Sequence, residues 1–227
     1  MNISEVFATI QGEGLLAGVP SLFIRTSGCN LRCRWCGTPY TSWSPEGEQW
    51  SVGRLAAWPA EHPAYRHAVI TGGEPMIQPE LPALTQALRA RGLHITIETA
   101  GTVDADVACD LMSISPKLAN SAPWDRDPAW ARRHEQARIA LPVLARLMRD
   151  YEHQLKFVVE TPGDLEEIRA LAQTLGAAPG RVLLMPEGIE ESVLRERSRW
   201  LVEECKRHGY RFCPRLHIAI WGARRGV

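Results

Sequence analysis

Short apolar, β-branched runs alternate with longer amphipathic stretches along this chain. SLFIRTS (21–27), HAVITG (67–72), HITIET (94–99), LMSISP (111–116), QLKFVVE (154–160) and RVLLMPE (181–187) have the length and residue types of buried strands. Between several of them, 79–91, 138–152, 164–175 and 190–208 carry apolar residues at helical spacing. The last stretch presents Val193, Leu194, Leu201, Val202 and Cys205 in near-helical register, with Gly209 just past its end as a stop signal. Strand–helix alternation of this kind predicts a parallel sheet with helices on its outer face. Six strands fall short of the eight that close a barrel. The expected fold is therefore α/β, an open partial (β/α) barrel.

Two segments break the alternation. Residues 37–66 hold Pro, Gly and the tryptophans Trp43, Trp50 and Trp58, and read as a capping insertion. Residues 118–137 (LANSAPWDRDPAWARRHEQA) are locally polar and read as a surface excursion. Neither has the composition of a linker, and no repeat or low-complexity tract is visible. One domain over 1–227 with two insertions is expected.

Composition narrows the function classes. The 227 residues are 45% hydrophobic, enough for one sizeable core. Lys plus Arg is 26 and Asp plus Glu is 26, so no broad electrostatic footprint for nucleic acid exists. No apolar run approaches the ~20 residues of a membrane span. The start, MNISEVFATIQ, lacks a signal-peptide pattern. The six cysteines are partly clustered rather than spread as a disulfide framework, which points to a reducing cytoplasm.

The candidate chemistry begins with Cys29, Cys33 and Cys36 in SGCNLRCRWCGTPY. Three thiolates from one loop can hold a cubane iron–sulfur cluster and leave one iron open to a chelating ligand. A structural zinc site is the rival, but zinc prefers four closed ligands, usually from paired knuckles. Here Cys109, Cys205 and Cys213 stand singly and no H-x3-5-H pair follows, although His208 or His217 could complete a site. TGGEP (71–75) places Gly72, Gly73 and Glu74 at the C-terminal end of a predicted strand, the edge where ligands of such folds bind. IETAGT (97–102) and SISPK (113–117) end two more strands there. Glu98 can accept from hydroxyl or amino groups, Ser115 has a hydroxyl, and Lys117 offers a cation for a carboxylate. LLMPEG (183–188) adds Met185 as an apolar ledge or as an edge of the core.

The cysteine run and TGGEP together resemble the signature of the radical S-adenosylmethionine (SAM) enzymes. With EVFATIQGEG, GVPSLFIRTSGC, IETAGT and SPK, matched in order over residues 5–117, the chain more specifically resembles the 7-carboxy-7-deazaguanine synthase family. LKFVV and LLMPEG extend the likeness more weakly to about residue 188.

That resemblance implies a six-stranded partial barrel and a homodimer. It implies conversion of 6-carboxy-5,6,7,8-tetrahydropterin to 7-carboxy-7-deazaguanine and ammonia. A flavodoxin or ferredoxin would donate the electron. Ile10, Gln11, Gly12, Arg25 and Thr71 would bind the pterin. Gly73, Glu74, Glu98, Ser115, Pro116 and Lys117 would bind SAM. Cys29, Cys33 and Cys36 would hold the 4Fe-4S cluster, and Thr38 a Mg²⁺ ion. Arg25 also makes sense by itself, because a planar guanidinium suits a carboxylate, although a structural ion pair is the plainer use of a strand arginine.

The chain departs from the family pattern in two places. Gly37 stands where Asp usually separates cysteine from threonine, and RLHIAIWGARRGV extends beyond His217. Whether Trp221 or Val227 reaches the site is open at this level. A glycyl-radical activating enzyme would share the cysteine run without requiring TIQGEG or an Arg25 pocket. A zinc-stabilised binding module is the non-enzyme alternative.

Overall fold

A computed structural model describes residues 1–227. The strands are β1 (Asn2–Ile10), β2 (Pro20–Thr26), β3 (Glu48–Gln49), β4 (His67–Gly72), β5 (His94–Thr99), β6 (Leu111–Ile114), β7 (His153–Val159), β8 (Val182–Pro186) and β9 (Arg211–Phe212). The helices are α1 (Pro39–Ser42), α2 (Val52–Ala57), α3 (Leu81–Arg89), α4 (Pro128–Ala137), α5 (Leu141–Asp150), α6 (Asp164–Thr174), α7 (Glu191–His208) and α8 (Leu216–Trp221). One sheet runs through the chain in the order β3-β1-β2-β4-β5-β6-β7-β8-β9. From β2 to β9 neighbouring strands are parallel, whereas β1 pairs antiparallel with β2 and β3. The six expected strands are the six long parallel ones. The antiparallel β1 escaped the pattern because its residues, apart from the buried Ile3, are half-buried and show no clean alternation.

Period-two side-chain alternation sorts this sheet into two faces. Ile24, Ile70, Ile97, Met112, Ile114, Leu155, Phe157, Val182 and Leu184 belong to the main core, with Leu84 and Leu88 of α3, Leu144 and Leu147 of α5, and Leu165 and Ile168 of α6. The intervening positions include Arg25, Thr71, Glu98, Ser113, Gln154 and Lys156. The apolar runs thus bury one face, which drives folding at roughly 25 cal/mol per Å² of apolar area, and leave polar groups on the other.

The four predicted helical stretches all form, each within a few residues of its expected bounds. Gly209 ends α7 at φ +69°, the left-handed cap that glycine adopts without a Cβ penalty. Segment 37–66 becomes α1, β3, α2 and a short 3-10 turn, with β3 extending the sheet edge beside β1. Segment 118–137 differs from a surface excursion. Ser121, Ala131 and His134 are fully buried, because α4 and the turn before it pack down on the cysteine loop. No helix is long and apolar enough to cross a membrane.

Candidate active site

Two adjoining cavities open at the C-terminal ends of the parallel strands. The first, about 180 Å³, is lined by Ile10, Gln11, Gly12, Arg25, Thr38 and Thr71, together with Phe7, Phe23, Tyr40 and the C-terminal residues 224–227. The second, about 190 Å³, is lined by Cys29, Cys33, Cys36, Gly72, Gly73, Ser115, Lys117 and Met185. Glu13, Gly37, Thr38, Thr71, Glu98 and Arg215 line both, so the two form one continuous site.

The cysteine loop leaves β2 at Ser27 and is tied down by its neighbours. Gly28 N donates to Thr41 O at 2.8 Å, and Trp43 Nε1 donates to the Cys33 carbonyl at 3.0 Å. All three thiols are free. Burial pushes the Cys29 thiol up to about 11 and the Cys33 thiol up to about 12, so bound iron would have to draw them into the thiolate form. No group of three His, Cys, Asp or Glu side chains is gathered as a single-ion site. Tetrahedral zinc would need sulfurs about 3.8 Å apart. Three free thiols lining one cavity, with no fourth donor gathered beside them, instead suit a cluster with one open iron.

The TGGEP turn is built by backbone proximity. Gly72, at φ +136°, packs so closely on Thr26 that a Cβ would overlap its backbone. Gly73 N then donates to Thr26 O at 3.2 Å, and Glu74 N to Gly28 O at 2.9 Å. Glu74 itself lines neither cavity. Its fully buried carboxylate accepts from Thr99 Oγ1 and Ala100 N, each at 2.8 Å, and from Met76 N at 3.1 Å. The carboxylate therefore ties the turn to the end of β5, and Gly72 and Gly73 are the part of the turn that faces the cavity. Pro116 also lies outside both linings, while Lys117 Nζ donates to Ser115 Oγ at 2.9 Å beside it.

Glu98 stands at the junction. Gln11 Nε2 donates to its Oε1 at 3.1 Å and Thr71 Oγ1 to its Oε2 at 2.8 Å. Arg25 donates through Nε to Glu5 Oε1 at 2.6 Å, and its terminal nitrogens make no hydrogen bond. Both uses of this arginine are thus compatible, since the ion pair occupies one edge and leaves the outer fork toward the cavity. Thr38 Oγ1 receives a hydrogen bond from Thr41 Oγ1 at 3.1 Å and offers a hard oxygen to both cavities.

Known proteins share this sequence and this fold. The family model described as the Radical SAM superfamily matches residues 23–118. A 7-carboxy-7-deazaguanine synthase from Halobacterium salinarum is 44% identical over 232 residues, covering 97% of this chain and 90% of the relative. One from Rhodopirellula baltica is 44% identical over 227 residues, covering 99% and 88%. The chain belongs to the 7-carboxy-7-deazaguanine synthase family. The crystal structure of QueE from Escherichia coli superposes with a TM-score of 0.70 at 28% identity, covering 93% of this chain and 92% of that one. Streptococcus suis SuiB shares the fold alone, with a TM-score of 0.55 at 12% identity, covering 86% of this chain and 47% of that one.

This member of the 7-carboxy-7-deazaguanine synthase family carries a buried charge cluster that motif reading missed. Glu13 pairs with Lys156, and its Oε1 lies 3.3 Å from Arg215 Nε. Burial alone would push the Glu13 carboxyl up. Lys156, Arg215 and His217 more than offset it and hold the group well below the usual carboxylate range. For Lys156, burial favours the neutral amine, but Glu13 and Glu98 outweigh it and hold the ammonium above its ordinary value. Glu13 lies inside TIQGEG and Lys156 inside QLKFVVE. A charged residue flanked by apolar neighbours in a buried strand was the available signal.

The C-terminal segment closes the other side. The Leu216 amide donates to Gly12 O at 2.9 Å, and the His217 ring fills the space that a Cβ on Gly12 would need. Val227 lines the first cavity and Trp221 does not. Arg225 lies 3.8 Å over the Tyr40 ring and pairs with Glu5 at 3.4 Å and Glu46 at 3.1 Å. Tyr40 OH donates to the same Glu5 oxygen that Arg25 uses, at 2.9 Å, so the tail and Arg25 share one carboxylate. At Gly37 a Cβ would sit in ordinary contact, 3.7 Å from Arg215 Nη2.

Proposed function

We propose that this chain is a radical SAM lyase that converts 6-carboxy-5,6,7,8-tetrahydropterin to 7-carboxy-7-deazaguanine and ammonia, in the 7-deazapurine route to queuosine. The reading rests on the continuity of the three-thiol cavity with the Arg25 cavity. Radical formation and ring contraction need cofactor and substrate side by side.

A 4Fe-4S cluster on Cys29, Cys33 and Cys36, with SAM on its open iron, supplies a 5′-deoxyadenosyl radical when bound. Gly73 and the Ser115–Lys117 corner hold the amino-acid end of SAM. Glu74 acts through the turn it anchors, and Met185 would offer the adenine an apolar ledge. In the adjoining cavity the free edge of Arg25 pairs with the substrate carboxylate in a forked geometry. Gln11 and Thr71 orient Glu98, which lines both cavities and would accept from a hydroxyl or amino group of SAM. Ile10 and Gly12 border the pterin ring. Thr38, together with the substrate carboxylate, would hold Mg²⁺ through a hard oxygen ligand.

The chain works as a cytoplasmic homodimer, supplied with electrons by a flavodoxin or ferredoxin. The glycyl-radical activating alternative leaves the Arg25 cavity without a purpose. The deciding experiment compares Arg25→Gln with wild type on the carboxylated pterin. Loss of one arm of a charged pair should raise KM by about tenfold or more, on the scale of 1.5–3 kcal/mol. An unchanged KM would remove Arg25 from substrate recognition.

A further inference from the structure

Segment 118–137 folds over the cysteine loop with two polar side chains turned inward. Asp127 caps α4 by accepting from Ala129 N and Trp130 N at 3.0 Å each, with Pro128 in the first turn. Ala131 and His134, three residues apart on that helix, share a face, and both are fully buried. The 3-10 turn Ala119–Ser121 brings the buried Ser121 hydroxyl to 2.8 Å from His134 Nε2. His134 lines neither cavity, and the proposed reaction does not use it.

The hydrogen bonds of this pair run in one direction. Arg32 N donates to His134 Nδ1 at 3.2 Å, so Nδ1 carries no proton and the neutral ring holds its hydrogen on Nε2. Nε2 then donates to Ser121 Oγ, which in turn donates to Leu118 O. The Ser121 carbonyl accepts from Arg34 N at 2.8 Å. Arg32 and Arg34 flank Cys33. The backbone N–H groups of both its neighbours are thus held by one Ser–His pair.

The preceding amide shows where such an N–H otherwise turns. Leu31 N donates to Cys29 Sγ at 3.4 Å. Hydrogen bonds to the sulfurs of an iron–sulfur cluster raise its reduction potential, because they stabilise the more negative, reduced form. We infer that His134 is a positioning residue for the cluster: it claims the Arg32 amide, fixes the backbone at Cys33 and keeps one donor away from the sulfurs, which holds the potential low. The inference rests on the iron–sulfur reading of the three cysteines. A low potential suits a cluster that must reduce SAM.

The test separates the two ring nitrogens. In His134→Asn the side-chain oxygen stands in place of Nδ1 and can accept from Arg32 N, while the contact with Ser121 is lost. In His134→Gln the amide reaches the place of Nε2 and keeps Ser121, while Arg32 N loses its acceptor. Both put a polar amide into the same buried place, so a merely structural role would affect them alike. Each protein is reconstituted anaerobically with iron and sulfide. Cluster content is measured, and the midpoint potential is read from a redox titration followed by electron paramagnetic resonance. His134→Gln should raise the reduced-to-oxidised ratio at a given potential about tenfold, a shift of roughly 59 mV for one electron. His134→Asn should stay within about twofold of wild type. His134→Phe keeps a ring but lacks both nitrogens, and should shift as His134→Gln does; it decides the matter where a polar variant holds no cluster. A wild-type potential in His134→Gln or His134→Phe, or equal shifts in the Asn and Gln variants, would overturn the inference and leave the cluster reading standing. Wild-type protein that takes up no cluster would overturn both.

Discussion

Lys156 is the cation on which the Glu13 cluster depends, and its removal is the sharpest structural test. The Lys156 side chain is 7% exposed and that of Glu13 16%, so neither can turn to water when its partner is lost. Removing one member of a buried pair costs about 3–5 kcal/mol. Arg215 still touches Glu13 at 3.3 Å, which brings the expected cost of Lys156→Met to the lower end, about 3 kcal/mol. At roughly 2–4 °C per kcal/mol for a chain of this size, Tm at pH 7 should fall by about 6–12 °C.

The pH dependence has a definite sign. The depressed Glu13 carboxyl contributes stability that is whole above its unfolded value of 4.5 and disappears as pH falls through the lower folded value. The raised Lys156 ammonium contributes fully below 10.5 and loses that contribution as pH rises through its higher folded value. Near neutrality both contributions are complete. In Lys156→Met, burial pushes Glu13 up with less to oppose it, so the variant protonates there at a higher pH and escapes part of its penalty. The gap in Tm should therefore narrow on acidification. Thermal melts of the cluster-free protein at pH 7 and pH 5, followed by circular dichroism, check both points. A shift of less than about 2 °C at pH 7, or a gap that widens in acid, would refute the reasoning.

Glu74→Gln keeps the shape of the side chain but replaces one acceptor oxygen with a donor facing Ala100 N or Thr99. It should cost about 2 kcal/mol and weaken SAM binding, which melting and equilibrium dialysis of SAM would measure; unaltered SAM affinity would detach the turn from the cofactor. Arg225→Ala unties the tail from Glu5 and Glu46, and KM for the pterin should rise about twofold to fivefold with little change in kcat, as suits a half-exposed ion pair. Thr38→Val removes the one hydroxyl proposed for Mg²⁺, so stimulation of turnover by added magnesium should disappear; an unchanged magnesium titration would place that ion elsewhere.

Much of the fold was legible because its cause is local. Short, β-branched apolar runs such as HAVITG and HITIET favour buried strands, and the stretches between them close helices over one face. The motif residues share a site for the same reason, since parallel strands bring Thr71, Glu98 and Ser115 to one edge. Features that depend on distant partners were not legible. Arg215 reaches Glu13 across almost the whole chain, and no spacing encodes that meeting. Glu74 was expected at the cofactor, but its carboxylate is taken up by Thr99 and Ala100, groups that fold into reach only when β4 and β5 pair. Segment 118–137 read as solvent-facing from its charges, yet Ser121 and His134 bond to each other at 2.8 Å beneath them.

The central claim is that the thiol cavity and the Arg25 cavity carry out one reaction. Anaerobic turnover of the iron–sulfur-reconstituted protein with reductant, SAM, Mg²⁺ and 6-carboxytetrahydropterin, read by mass spectrometry, tests it most directly. The account predicts 7-carboxy-7-deazaguanine with SAM not consumed in proportion, and neither product nor cluster absorbance from Cys33→Ala. Cleavage of SAM to 5′-deoxyadenosine without the deazaguanine, in protein shown to hold its cluster, would contradict it.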